Sequence, residues 1–573
     1  MKTIKTDSLI FTYRNSCNRA LDSIEFEINE GEMVAIMGKA GVGKSTLCRC
    51  LNGIIPNFVK GDLSGNISIL GESIKNKQIY EIAKNVGLVF QDFESQLFST
   101  SVELEVAFGP ENLAIPSEEI RERVNYALKA VGLEGFENRQ PYNLSGGEKQ
   151  RLAIASVLSS KPKIIVLDEP TTDLDPKGRY DILSSLENLK KESMSILLVE
   201  HEIEDILNTD KLIIMNSGKI ILFDETSAIL RNIEVLENNS IRPPQIAKLC
   251  SEIGSDKIYI TAQEAYNSGI SLNFDDEKYQ TLIAKENERQ YGNVAIEVND
   301  LKYSFPDGKN ALNKIDLSIK EGEFVAIIGQ NGSGKTTLAK CFNGLLKPSF
   351  GKVNCFGKDT TKMKISELGK LVGYVFQNPD HQIFANTVRE ELMFGPKNFG
   401  LSEEQIKTNI EEALQAVHLE GYEELDPFSL TKGERQRVAV ASVLACKPQI
   451  LILDEPTTGL DYPQQKSMME LLKSLNESGH TIIIITHSLW VVAEYAHRVI
   501  VMDKGFIKID GNVRDVFCQQ DKLESVGMRL PELIKLSNML GKKLLSVEEY
   551  KKVISKERNE HENISDNGDV TSS

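Results

Sequence analysis

Cysteine is sparse in this chain, tryptophan is nearly absent, and no long hydrophobic run occurs. The eight cysteines are scattered through 573 residues, and the one close pair, Cys48 and Cys50, has no second Cys or His cluster to complete a thiolate metal site. They read as buried apolar residues. No stretch approaches the roughly 18 apolar residues of a membrane-spanning helix. The best candidates, residues 482–486 and 164–167, are short and read as buried strands. The opening Met1-Lys-Thr-Ile-Lys-Thr-Asp-Ser has no apolar stretch of the kind a secretory leader uses, which sets the expectation of synthesis in the cytosol. Positive charge is also in deficit: 66 Lys and Arg stand against 83 Asp and Glu, a net −17. That balance gives no general electrostatic reason to approach nucleic acid or an anionic membrane surface.

What is present suits a folded protein of several domains. Hydrophobic residues make up 41% and charged residues 26%, enough for sizeable cores, and the length exceeds what one core supports. An internal repeat then divides the chain. Gly38-Lys-Ala-Gly-Val-Gly-Lys-Ser-Thr46 recurs as Gly329-Gln-Asn-Gly-Ser-Gly-Lys-Thr-Thr337, and later landmarks pair off at a constant spacing: Gln91 with Gln377, Asp168 with Asp454, His201 with His487. Even the tails match, with Leu236, Arg242, Pro244 and Gly254 answering Leu523, Arg529, Pro531 and Gly541. A repeat this long is a duplicated domain. The expected organisation is a first domain over 1–234, a helical extension and linker over 235–292, a second domain over 293–520, a C-terminal helical extension over 521–555 and a disordered tail over 556–573. Residues 275–292 are polar without a clear apolar period, which predicts an exposed linker.

Within each half an apolar run ends at a glycine-rich loop that opens a helix, as in 33–37, the loop, then 45–51. Further buried strands are expected at 164–168 and 195–200, matched by 450–454 and 481–486. A mostly parallel α/β sheet with helices on both faces follows.

The motifs carry phosphate chemistry. Gly38, Gly41 and Gly43, with Gly329, Gly332 and Gly334, let backbone N–H groups point inward at phosphate oxygens; Lys44 and Lys335 would contact the β- and γ-phosphates. Ser45 and Thr336 offer hydroxyls to Mg²⁺, and Thr46 and Thr337 follow them. Asp168-Glu169 and Asp454-Glu455 end buried strands, where α/β proteins hold ligands. Asp168 and Asp454 would support Mg²⁺, and Glu169 and Glu455 would act as general bases toward water.

Such loops alone admit kinases, GTPases and helicases. Leu144-Ser-Gly-Gly-Glu-Lys-Gln-Arg151 discriminates, because it matches the signature of the ABC superfamily shortly before the Asp-Glu strand, and by this the chain resembles a tandem ABC ATP-binding protein. The resemblance covers residues 13–218 and 303–505. It implies two P-loop nucleotide-binding domains, each with a RecA-like, mostly parallel sheet, an antiparallel β subdomain, an α-helical signature subdomain and a small helical extension. It implies that Ser145, Gly146 and Gly147 reach the ATP held by the other half, as do Thr431 and Gly433. It likens Tyr13 and Phe305 to the adenine-stacking aromatic, Gln91 and Gln377 to the glutamine that senses Mg²⁺, Asp175 and Asp461 to the D-loop aspartate, and His201 and His487 to the switch histidine. A lone histidine after a strand is more often structural; two at matching places favour function.

One departure matters. The second signature, Leu430-Thr-Lys-Gly-Glu-Arg-Gln-Arg437, has Thr431 for serine and Lys432 for the first glycine. In a head-to-tail dimer of the two halves Lys432 would face the ATP on Lys44, and the intact signature the ATP on Lys335, which predicts unequal sites.

The segments Val375-Phe-Gln-Asn-Pro-Asp-His-Gln-Ile-Phe384 and Thr387-Val-Arg-Glu-Glu-Leu-Met-Phe-Gly-Pro396 look like those of the ATPase subunits of energy-coupling factor (ECF) importers. The first half echoes them with Val89-Phe-Gln-Asp-Phe-Glu-Ser-Gln-Leu-Phe98 and Val106-Ala-Phe-Gly-Pro110. That resemblance implies a peripheral protein on the cytoplasmic face of the membrane. Its partners would be a polytopic transmembrane coupling subunit and a substrate-capturing membrane subunit, and its task the uptake of a vitamin, vitamin precursor or transition metal ion, with no nucleic acid bound. The rival readings are a soluble tandem-cassette ATPase acting on ribosomes or nucleic acid, and an exporter ATPase. The asymmetry carries a direct test: steady-state ATP turnover should fall further in Glu455→Gln than in Glu169→Gln, and the reverse ranking contradicts it.

Overall fold

The computed structural model describes residues 2–554 apart from 15, 173, 271 and 307. The tail expected over 556–573 lies outside the described residues, as does residue 555.

Five-residue runs of apolar side chains dictate the centre of each half. Met33–Met37, Ile164–Asp168 and Ser195–Val199 are buried at every position, which only a strand covered on both faces tolerates. They form a six-stranded sheet in the order Lys219–Glu225, Lys211–Asn216, Met33–Met37, Ser195–Val199, Ile164–Asp168, Val86–Val89, parallel except for the outermost Lys219–Glu225. Side-chain alternation splits the core into two faces. Val34, Ile36, Val166, Leu197 and Val199 join Ile4, Phe11 and Phe26 from an antiparallel sheet. Met33, Ile165, Leu167 and Leu198 face helices instead. Each fully buried Leu or Ile contributes about 1.5–3 kcal/mol relative to exposure, so both faces are strongly specified.

The antiparallel sheet runs Arg19–Asn29, Lys2–Tyr13, Gly61–Ile69, Glu72–Ser73, and its alternating burial marks one wet and one dry face. The helical layer is Val102–Asn112, Ser117–Ala130 and Gly146–Leu158, which pack on one another. The second half repeats every layer. Its six-stranded sheet is Val372–Val375, Ile450–Asp454, Thr481–Ile485, Phe324–Gly329, Arg498–Asp503, Phe506–Asn512, and its antiparallel sheet is Asn310–Lys320, Val294–Ser304, Phe350–Cys355, Lys358–Asp359. Its helices are Val388–Asn398, Glu403–Ala416 and Lys432–Leu444. Both halves, residues 1–244 and 291–530, belong to one compact unit.

A second compact unit combines residues 245–290 with the described part of 531–573. Ile246, Leu249, Leu533, Leu536 and Tyr550 form its core, so the two extensions fold on each other. Here the structure departs from the expected linker: Asp276–Asn287 is a helix. Asp275 caps it by accepting from the Lys278 N–H at 3.0 Å, Asp276 and Glu277 occupy its first turn and Lys285 its last, all favourable to the helix dipole. Its two apolar anchors, Tyr279 and Leu282, pack on this core, too few to show as a period. Among the described residues no helix is long and apolar enough to cross a membrane.

Candidate nucleotide sites

Each glycine loop follows a central strand and bends where a side chain cannot go. Gly38 and Gly329 both have φ +152°, and a Cβ on either would meet a carbonyl oxygen, of Met215 or Met502, at 2.2 Å. The loops open the helices Lys44–Leu51 and Lys335–Phe342, so backbone N–H groups converge at a positive helix end. Lys44 and Lys335 fold back into their loops. Lys44 Nζ donates to the carbonyls of Gly38 (2.8 Å) and Lys39 (2.9 Å), and Lys335 Nζ to those of Gly329 (2.8 Å) and Gln330 (3.0 Å). Burial holds both ammonium groups below the ordinary lysine value, while nearby carboxylates pull the other way.

At the floor, Ser45 Oγ donates to Asp168 at 3.1 Å and Thr336 Oγ1 to Asp454 at 2.9 Å. A hydroxyl, a carboxylate and inward N–H groups fit a phosphate chain carrying a hard divalent cation. Thr46 is tied to the Tyr13 hydroxyl at 2.9 Å; Phe305, the counterpart of Tyr13, is 38% exposed and stands edge-on to Tyr303 at 5.2 Å.

Beside each aspartate, Glu169 (φ 54°) and Glu455 (φ 50°) adopt left-handed backbone, held by bonds from their N–H groups to Val199 (3.1 Å) and Ile485 (2.9 Å). Such strain, repeated at both sites, marks positions where geometry outranks stability. Around these glutamates the halves differ. Glu169 takes both Gln91 Nε2 and His201 Nε2 at 2.7 Å. Burial works to raise its pKa, but the His201 bond and the charges of His201, Lys44 and Lys432 outweigh it and hold the carboxyl below its ordinary value. At Glu455 burial wins and pushes the carboxyl up to about 8 against the pull of Lys335, and His487 is driven well below the usual histidine value. His487 Nε2 stands 3.1 Å from Glu455 Oε1, yet among the described residues that oxygen and His487 Nδ1 are buried without a hydrogen-bond partner. Those two orphaned atoms are what a site awaiting a polar ligand exposes. Gln377 is exposed at the end of Val372–Val375.

The signatures cap their helices identically. Ser145 and Thr431 each form a capping box with the glutamate three residues on, Glu148 and Glu434. Lys432 therefore leaves the helix start intact. Its ammonium lies against Gly459, where an added Cβ would meet Nζ at 2.1 Å, and its charge reaches Glu169 of the other half.

The halves meet through the segment after the Asp-Glu pair. Asp175 caps Pro176–Lys191 through Gly178 N (2.7 Å) and with its other oxygen accepts from Asn331 N of the opposite glycine loop at 2.8 Å. Asp461 lines a small cavity with Gly38, His201 and Gln465. The tail arginines cross as well: Arg242 sits 4.8 Å from the Trp490 ring and Arg529 3.9 Å from Tyr180.

The ABC transporter family model matches residues 21–172 and 312–458, together just over half of the chain. The chain belongs to the ABC transporter family. A chain of Caldanaerobacter subterraneus subsp. tengcongensis, named as an ABC transporter ATP-binding protein, is 50% identical over 96% of this chain and 98% of its own length. One of Methanosarcina acetivorans with the same name is 40% identical over 96% and 93%. Among solved structures, cbiO1 of Clostridium perfringens, described as part of the ABC transporter complex cbiONQ, is 38% identical over 43% of this chain and 98% of that one, with a TM-score of 0.38.

This ABC protein is thus an ATPase with two cassettes. Its residues missed in the sequence are those whose partners come from elsewhere in the fold. Tyr374 donates to Asp454 at 2.9 Å, where the first cassette has Leu88; the departure was visible in the repeat, but its meaning needed the neighbour. Removing this hydroxyl strips one donor from a buried carboxylate, so Tyr374→Phe should cost about 1–2 kcal/mol in denaturant unfolding. An unchanged midpoint contradicts the bond.

Proposed function

We propose that this ABC ATPase is the energy-coupling subunit of an ECF-type importer, driving uptake of a vitamin, vitamin precursor or transition metal ion through separate transmembrane and substrate-capturing subunits. One duplicated surface supports the reading. Phe98 and Phe108 stand edge-on at 4.7 Å, and Phe384 and Phe394 at 4.8 Å, all four exposed. Buried Glu105 and Glu391 hold them there. Glu105 accepts from the N–H groups of Phe98 (3.0 Å) and Ser99 (2.7 Å), and Glu391 from those of Phe384 and Ala385 (both 3.0 Å). Two buried acidic side chains given to displaying two aromatic pairs suit docking of apolar partner helices, one on each cassette.

In this mechanism Lys44 and Lys335 with their loop N–H groups bind the phosphates of ATP, and Tyr13 and Phe305 face the adenine. Ser45 and Thr336, with Asp168, Asp454, Gln91 and Gln377 beside them, would hold Mg²⁺, which would neutralise phosphate charge. Glu169 and Glu455 accept the proton of the attacking water, and His201 and His487 orient the γ-phosphate end. Ser145, Gly146 and Gly147 close on the Lys335 site, and Thr431, Lys432 and Gly433 on the Lys44 site. Closure pulls the two aromatic pairs together and so moves the membrane partner.

Affinity purification from membranes tests this. The unaltered chain should bring down a polytopic subunit, and Phe98→Ser with Phe384→Ser should lose it while still binding ATP. Co-sedimentation with ribosomes, or an unchanged membrane partner in the double variant, contradicts the proposal.

A further inference from the structure

The segment after the switch histidine differs in charge between the halves. In the first it reads Glu200-His201-Glu202-Ile203-Glu204-Asp205; the equivalent Thr486-His487-Ser488-Leu489-Trp490-Val491 carries no acid. A second difference faces the first: Arg179 corresponds to Gln465. Both side chains begin alike, Arg179 Nε donating to the Leu174 carbonyl at 3.2 Å and Gln465 Nε2 to the Leu460 carbonyl at 3.0 Å. Arg179 then goes further, to Asp205 at 3.4 Å. Asp205 also accepts from Thr171 Oγ1 at 2.8 Å, and Thr171 N donates to Glu200 at 3.2 Å. Glu200 and Thr171 are 2% and 1% exposed and the Asp205 side chain 8%, so the acid end of the network is internal, while the Arg179 side chain is 29% exposed.

These bonds run from the His201 strand to the helix Pro176–Lys191. That helix starts at Asp175, whose free oxygen takes the Asn331 N–H of the opposite glycine loop. The guanidinium charge also acts on Glu455 and His487 across the interface. A buried ion network is a poor source of net stability, and the second half fills the place of Asp205 with Val491. What the network supplies is a fixed position.

We propose that Arg179 is a positioning residue for the opposite cassette: paired with Asp205, it locks Asp175 onto the Asn331 amide and thereby sets the Lys335 loop for hydrolysis. The link runs one way, from the switch of the first half to the site of the second, because the second half carries Val491 where its counterpart of Asp205 would stand. It rests on the reading that the Lys335–Glu455 site performs most of the turnover.

Steady-state ATP hydrolysis by the full chain tests it, with Arg179→Gln, Asp205→Asn and the double variant. Each single variant should lower kcat about tenfold with KM for ATP within twofold, the split expected when positioning rather than binding is lost. The double variant should be no worse than either single one, since both break one link. An unchanged kcat in Asp205→Asn, which is nearly isosteric, or additive losses in the double variant, overturns the proposal. Glu455→Gln in the same series separates the failures: if it keeps full turnover, the assignment of the active site is wrong; if it abolishes turnover and Arg179→Gln does not slow it, the positioning role is wrong.

Discussion

Burial of a lysine ammonium inside a glycine loop, twice over, is the constraint on which the rest of this fold depends. Lys44 and Lys335 sit where solvent cannot screen them, and each is held by two carbonyls of its own loop. Desolvating a cation is expensive unless its hydrogen bonds are met, so the loop must bend to present those carbonyls. That bend needs Gly38 and Gly329, which follow the central strands of a mostly parallel sheet. The sheet in turn requires both faces covered, one by the antiparallel sheet and one by the helices. An unbroken line of necessity thus leads from one charged side chain to the three-layered architecture of each cassette.

The duplication frees the two halves to diverge while sharing that architecture. In the first, Glu169 is fully satisfied by Gln91 and His201, and its opposite signature carries Lys432. In the second, Glu455 and His487 keep unpartnered buried atoms, Tyr374 braces Asp454, and Asp175 reaches across to Asn331. The second site holds the more deeply desolvated glutamate, pushed up to about 8, and a floor aspartate with an added tyrosine donor, whereas the glutamate of the first is tied to two side chains.

Much of this was legible in the sequence because its chemistry is local. Loop, Asp-Glu pair and signature are each contiguous, and five-residue apolar runs leave little doubt about central strands. The helix Asp276–Asn287 was not legible, since its two anchors gain meaning only against Tyr550 and Leu533, which arrive from the far end of the chain. Arg242 with Trp490 was hidden for the same reason, whereas Arg179 with Asp205 and Phe98 with Phe108 lie closer in sequence and were hidden only as pairings. Charge and aromaticity show in a sequence, but the pairing of such groups is a property of the packed fold. Lys432 is the converse case: the departure was plain in the sequence, whereas the unchanged helix cap and the lean of its ammonium onto Gly459 required the structure.

In the proposed mechanism each site is completed by the half that does not own its glycine loop. ATP turnover of Ser145→Arg measured beside Thr431→Arg probes it most directly, because neither residue belongs to the cassette whose glutamate it serves. Ser145→Arg should remove most of the turnover although Glu455, Lys335 and His487 are untouched, and Thr431→Arg the smaller share. Turnover that survives Ser145→Arg, or falls further in Thr431→Arg, would contradict it.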